Sequence, residues 1–142
     1  IDVSDSMRAQ DIGSTLRASD QVNNRLDHAK VLVRQTMAEA GGHRVGIMPF
    51  SGEAFMQCPL TTDYGIAMDV ARQVNFDSIE YEGTDIPQVI DKSIGAFKRA
   101  GSGTRVLVIL TDGENHSEEI KKAARRAADN ELTIYALGIG TK

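Results

Sequence analysis

The chain has 142 residues, a net charge of −4 and a single cysteine. That length supports one hydrophobic core and not two, and an acidic balance without a basic run argues against a nucleic-acid or anionic-membrane binder. Cys58 alone excludes an internal disulfide framework and a cysteine-based zinc site, and no apolar run approaches the roughly 18 residues of a membrane span.

The first residues, Ile1-Asp2-Val3-Ser4-Asp5-Ser6-Met7, form an Asp-x-Ser-x-Ser cluster. A strand that supplies Asp2 is expected to have several apolar residues before it, so the chain reads as a single domain, 1–142, cut short at its start. The stretch from Arg8 to Asn24 is polar and poor in periodicity, which predicts a long mobile loop. Leu26, Ala29, Val33, Met37 and Ala40 mark a helix that Gly41-Gly42 ends. Arg44 to Phe50 is a short apolar run that predicts a buried strand. Ala54 to Pro59 reads as a short edge strand, because Pro59 cannot donate to a ladder. A further helix is predicted from Tyr64 to Val74. Ile86, Val89, Ile90, Ile94 and Phe97 give an amphipathic stripe; Asp85 fits its N-cap and Pro87 its first turn. Val106 to Leu110 is continuous, branched and bounded by Gly103 and Asp112-Gly113, the pattern of a central parallel strand. Ile120, Ala123, Ala124, Ala127 and Ala128 predict the last helix, and Thr133 to Ile139 the last strand. Alternating β and α elements imply a parallel sheet covered by helices on both faces.

In such a fold ligands bind beyond the carboxyl ends of the strands. Asp2 to Ser6, Ser51 to Glu53 and Thr111-Asp112 all fall there. A hard dication wants oxygen ligands in an octahedron, and magnesium keeps some of its water. Ser4 and Ser6, alternate residues of an extended turn, share a face with Asp2. Thr84 offers a third hydroxyl from another loop, and Asp112 a carboxylate from a neighbouring strand end. Neutral hydroxyls close to the ion and carboxylates further out leave it under-neutralised, able to attract an acidic group from a partner. Each piece alone is a common turn or cap; their joint placement is what points to a metal site.

These residues resemble the von Willebrand factor type A domain. Asp2-Val3-Ser4-Asp5-Ser6 is similar to the family's Asp-x-Ser-x-Ser loop, Thr84 to its second-loop threonine and Asp112 to its third-loop aspartate, which together form a metal-ion-dependent adhesion site. Arg44-Val45-Gly46, Phe50 to Phe55 and Pro59 to Tyr64 further resemble bacterial Bat-type aerotolerance proteins. The resemblance implies a Rossmann-like α/β fold with a mostly parallel central sheet and one antiparallel edge strand, here Ala54 to Pro59. It also implies a further C-terminal helix, so the domain reads as cut short at that end too. It implies Mg²⁺, with Mn²⁺ or Ca²⁺ as substitutes, contacted by Ser4, Ser6 and Thr84, while Asp2 and Asp112 act mostly through water. It implies no catalysis, and a protein partner whose acidic residue completes the ion's shell. Bat-type relatives are usually anchored in the bacterial inner membrane and encoded near MoxR-type AAA+ ATPases. Other Bat-type proteins and such an ATPase are therefore the expected partners, and the periplasm is the expected side. Asp5 departs from the family pattern, which often has glycine there, and adds negative charge beside the site.

The competing class is a Mg²⁺-dependent phosphatase with Asp2 as nucleophile. The residue two later is Ser4 rather than the aspartate that serves as general acid in haloacid-dehalogenase-like enzymes, and no lysine is placed to balance a phosphate. Glu53 and Glu114 are rim candidates or, for Glu114, a helix-start charge. His116 is expected as a solvated helix-start residue, and Cys58 as a small buried side chain rather than a nucleophile.

Overall fold

A computed structural model describes residues 1–12, 22–113 and 118–140. Helix α1 spans Arg25–Glu39, followed by strand β1, Val45–Ile47, and strand β2, Cys58–Thr61. Helix α2 is Tyr64–Gln73, α3 is Ile86–Ala100, β3 is Arg105–Thr111, α4 is Glu118–Asp129 and β4 is Leu132–Gly138. Short 3₁₀ turns cover Asp5–Arg8 and Phe76–Ser78.

Local chemistry sets the helix starts. Asn24, Asp63 and Asp85 each accept a hydrogen bond from a backbone amide of the first turn, that of Asp27, Ile66 and Gln88 respectively. Each thus satisfies a donor that has no partner inside the helix. Pro87 sits in the first turn of α3, where its missing N–H costs nothing. The predicted helices are all present, within about two residues at their ends, the ordinary uncertainty of helix boundaries.

β3 and β4 pair in parallel from Arg105↔Leu132 to Thr111↔Gly138. β1 and β2 pair antiparallel, with an irregular register between Val45 and Ile47. The Ile1–Val3 segment joins these pairs. The Ile1 amine donates to Met48 O, Asp2 N to Leu110 O and Val3 N to Phe50 O, and Asp2 bridges Phe50 in parallel. Toward Val45 and Val106 the two pairs part around an apolar cavity of about 480 Å³.

The edge strand differs from expectation. It is Cys58–Thr61, and only Ala54 of the earlier stretch bridges, to Phe50. Pro59 lies inside the strand, not after it. β2 has β1 as its one ladder partner, so a proline lacking N–H is accommodated there.

The core lies on both sides of the strands. Leu26, Ala29, Val33 and Met37 of α1 and Ala67 and Ala71 of α2 pack with Leu110. Val89, Ile90 and Ile94 of α3 and Ala123 and Ala127 of α4 pack with Ile109. Consecutive residues of β3 thus feed opposite faces, as a strand requires, and helices cover both. Met48 is buried, and Met56 and Met68 pack against the core. Residues 13–21 of the predicted loop lie outside the described residues. Its flanks are anchored: Ile12 and Val22 are buried and pack with Val31.

Candidate metal centre

Asp2 leaves the first strand fully buried. Its Oδ1 accepts the Ser4 amide at 2.9 Å and its Oδ2 accepts the Thr111 hydroxyl at 2.6 Å. Both oxygens therefore have partners, and the carboxylate ties the first loop to the end of β3.

Ser4 is extended and caps the Asp5–Arg8 3₁₀ turn without a side-chain bond to it. Ser6 lies within that turn, not in an extended segment, yet the two hydroxyl oxygens stand 3.1 Å apart. The turn does what the alternation argument expected by another route. It is held by Met7, whose side chain is fully buried.

Thr84 is positioned through its neighbours. Ser51 Oγ donates to Gly83 O at 2.8 Å, and the Asp85 amide donates to Ser51 O at 2.7 Å. Ser51 directly follows Phe50, the bridge partner of Asp2. The loop carrying Thr84 is thereby clamped beside the first strand. Gly52 permits the clamp: its amide donates to Tyr81 O at 2.9 Å, and a Cβ there would overlap the Glu82 carbonyl.

Asp112 is nearly as buried as Asp2, its side chain 2% exposed. Its Oδ2 accepts from Arg25 Nη1 at 2.9 Å. Its Oδ1 has no hydrogen-bond partner among the described residues. A buried carboxylate oxygen left without a donor is costly in a folded protein. The same Arg25 nitrogen also reaches Ser6 O at 3.4 Å, which places Asp112 beside the serine loop.

Arg25 was not anticipated from the sequence. It is the first residue of α1, where the helix dipole disfavours a cation; that misplaced charge was the available signal. Its Nε and Nη2 bind Asp11 at 2.9 and 2.7 Å, and its pKa is raised, first by the Asp11 hydrogen bond and also by Asp112. Thr111 was expected at this strand end, but its hydroxyl's bond to Asp2 was not, and nothing local in the sequence marks that bond.

The remaining candidates are peripheral. Glu53 is exposed and 3.8 Å from Lys92. Cys58 is buried, and desolvation raises its thiol pKa, which keeps it protonated and unreactive at neutral pH. Glu114 and His116 lie outside the described residues. Among the described residues, no three His, Cys, Asp or Glu side chains gather as a metal cluster; the set here rests on hydroxyls flanked by two carboxylates. The orphaned Asp112 Oδ1 and the paired serine hydroxyls, on loops that Arg25 links through Ser6 O and Asp112 Oδ2, are the hard oxygen donors that a hard cation takes.

The model of the von Willebrand factor type A domain matches residues 1–142. The chain belongs to this family. The crystal structure of the conserved hypothetical protein BatB from Bacteroides thetaiotaomicron superposes with a TM-score of 0.84 at 32% identity, covering 96% of this chain and 62% of that one. An aerotolerance-related membrane protein from Bacteroides fragilis also gives 0.84, at 31% identity, covering 98% of this chain and 64% of that one. A protein from Borreliella burgdorferi is 27% identical over 143 residues, covering 99% of this chain and 39% of its own length. The chain thus spans less than two thirds of each of these proteins. The von Willebrand factor type A fold seen here is an α/β fold whose structural neighbours are Bat-type, aerotolerance-related proteins. It is typically a protein-interaction module, and no helix among the described residues is long and apolar enough to cross a membrane.

Proposed function

We propose that this domain is a non-enzymatic, divalent-cation-dependent protein-binding module. Ser4, Ser6 and Thr84 would offer hydroxyl ligands to Mg²⁺, with Mn²⁺ or Ca²⁺ as substitutes, and Asp2 and Asp112 would supply negative charge around it. A cation held there would supply Lewis acidity able to attract a carboxylate from a partner protein. The observation that carries this reading is the buried Asp112 Oδ1, which lacks a donor among the described residues and stands beside the serine loop.

The chain's own residues have separable roles in this scheme. Asp2 shapes the serine loop through the Ser4 amide and locks it to Thr111. Ser51 and Gly52 hold the Thr84 loop against the same strand end. Asp112 supplies an oxygen that has no donor among the described residues.

Calorimetric titration of Mg²⁺ into the metal-stripped protein tests the reading. Wild type should bind and Asp112→Ala should not; equal responses would remove the site as drawn. Partner binding should then be abolished by EDTA and by neutralising one acidic residue of the partner. A phosphatase mechanism is disfavoured by the geometry of Asp2, whose side chain is fully buried with both oxygens hydrogen-bonded. An attacking oxygen has to be reachable by its substrate, and the Asp2 side chain has no exposed surface.

The Bat-type neighbours extend the proposal to the whole protein. One of them is described as a membrane protein, so we place this domain in an inner-membrane-anchored protein, on the periplasmic side. Its partners would be other Bat-type proteins or a MoxR-type AAA+ ATPase.

A further inference from the structure

We infer that Arg25 is a resident cation that shares Asp112 with the divalent ion, holding the site together without metal and weakening metal binding. The inference rests on the metal-site reading above.

Four segments meet on this guanidinium. Asp11 takes Nε and Nη2, Asp112 Oδ2 takes Nη1, and Ser6 O lies within reach of the same Nη1. The fourth is the turn after β4. Gly140 has φ +127 and lies so close that a Cβ there would stand 2.9 Å from Arg25 Nε and 3.2 Å from Cζ. The Ile139 amide, one residue earlier, donates to Thr111 O at 2.8 Å. The guanidinium is therefore walled in, with its side chain 17% exposed.

This arrangement answers a problem in the metal-free protein. Asp112 is a buried carboxylate, and a buried charge without a counter-charge is strongly unfavourable. Arg25 supplies that counter-charge on one oxygen and leaves the other free. Two carboxylates, Asp11 and Asp112, share this one guanidinium, and the Asp2 carboxylate is bonded to Thr111, the residue before Asp112. The neighbourhood therefore stays negative overall and able to take a dication. When the ion approaches Oδ1, it and the guanidinium polarise the same carboxylate and repel one another. Removing the guanidinium charge leaves Asp112 wholly to the ion. Replacing it by another cation preserves the competition.

The test is Mg²⁺ calorimetry and Mg²⁺-induced thermal shift on the EDTA-stripped protein, with Arg25→Met and Arg25→Lys beside wild type. Arg25→Met should melt lower without metal, yet bind Mg²⁺ roughly tenfold more tightly and gain a larger Mg²⁺-induced shift. Arg25→Lys should keep an affinity close to that of wild type. A merely structural arginine would lower the metal-free melting temperature and leave Mg²⁺ affinity unchanged or weaker, which overturns the inference. Should Arg25→Met not fold, the wild-type protein still decides. The Arg25 Nε–H resonance should move with Mg²⁺ along the calorimetric saturation curve, and a resonance that stays fixed while Mg²⁺ binds sinks the idea. If wild type itself binds no Mg²⁺, the metal-site reading falls and this inference with it. Binding by wild type with no change in Arg25→Met removes the Arg25 inference alone.

Discussion

Asp2 and Asp112 stand at the ends of two hydrogen-bonded segments, since the Asp2 amide donates to Leu110 O, and both side chains are buried. Asp2 has a donor on each oxygen: the Ser4 amide and the Thr111 hydroxyl. Asp112 has Arg25 on one oxygen and, among the described residues, none on the other. The first carboxylate belongs to the architecture and the second keeps capacity in reserve. Two aspartates that one motif groups together thus differ in how far the fold satisfies them.

The sharpest break between them is in metal-free stability. Asp2→Ala strands two buried donors, each costing about 1–3 kcal/mol when unsatisfied, so the loss should be about 2–6 kcal/mol. Asp112→Ala removes one oxygen that lacks a donor among the described residues and one bonded to Arg25, while Arg25 retains Asp11; relief of the buried charge offsets the lost ion pair, so its cost should stay near ~1 kcal/mol or below. Urea unfolding in EDTA measures both, and similar losses would erase the distinction.

The next effect concerns the clamp that sets the Thr84 loop. Gly52→Ala puts a methyl group into the Glu82 carbonyl, and a backbone oxygen held by its own loop gives way poorly. A destabilisation of about 1–3 kcal/mol is expected from such overpacking, together with weaker Mg²⁺ binding, because Thr84 moves with its loop. Unchanged calorimetry and an unchanged unfolding midpoint would show that the loop adjusts freely.

Smaller again is Thr111→Val, which keeps the shape of the side chain and deletes its hydroxyl. Asp2 Oδ2 then loses its donor at a cost of about 1–2 kcal/mol. The loss should shrink in the Asp2→Ala background to what the 3.3 Å bond from the Gly113 amide to the same hydroxyl contributes. A double-mutant cycle by urea unfolding reads this directly, and additive losses would mean that the 2.6 Å bond contributes nothing of its own.

What could be read from the sequence was what depends on neighbours along the chain. Asp85 as an N-cap, Pro87 in a first turn and the Val106–Leu110 run each carry their signal within a few residues. The Asp2, Ser4 and Ser6 cluster is equally local, although its serines converge through a 3₁₀ turn rather than an extended one. The edge strand was displaced because Pro59 reads as a terminator in one dimension and is tolerated at an edge in three. The bond from Thr111 to Asp2 and the role of Arg25 were not legible for a different reason. The partners of these two residues lie 109 and 87 residues away, and only the folded sheet brings them together.

The mildest perturbation bears most narrowly on function. Thr84 sits on an exposed loop whose position is fixed by backbone contacts of Gly83 and Asp85 to Ser51. Replacing it with alanine leaves those contacts in place, so metal-free stability should change by no more than about 1 kcal/mol. If its hydroxyl is a ligand, one oxygen leaves the ion's shell and water takes its place. Mg²⁺ affinity should then fall roughly tenfold, a difference of about 1.4 kcal/mol. Thr84→Ser, which keeps the hydroxyl, should restore binding. A serine variant as weak as the alanine one would show that packing by the methyl group matters and the hydroxyl does not. The ion would then rest on Ser4, Ser6 and Asp112 alone.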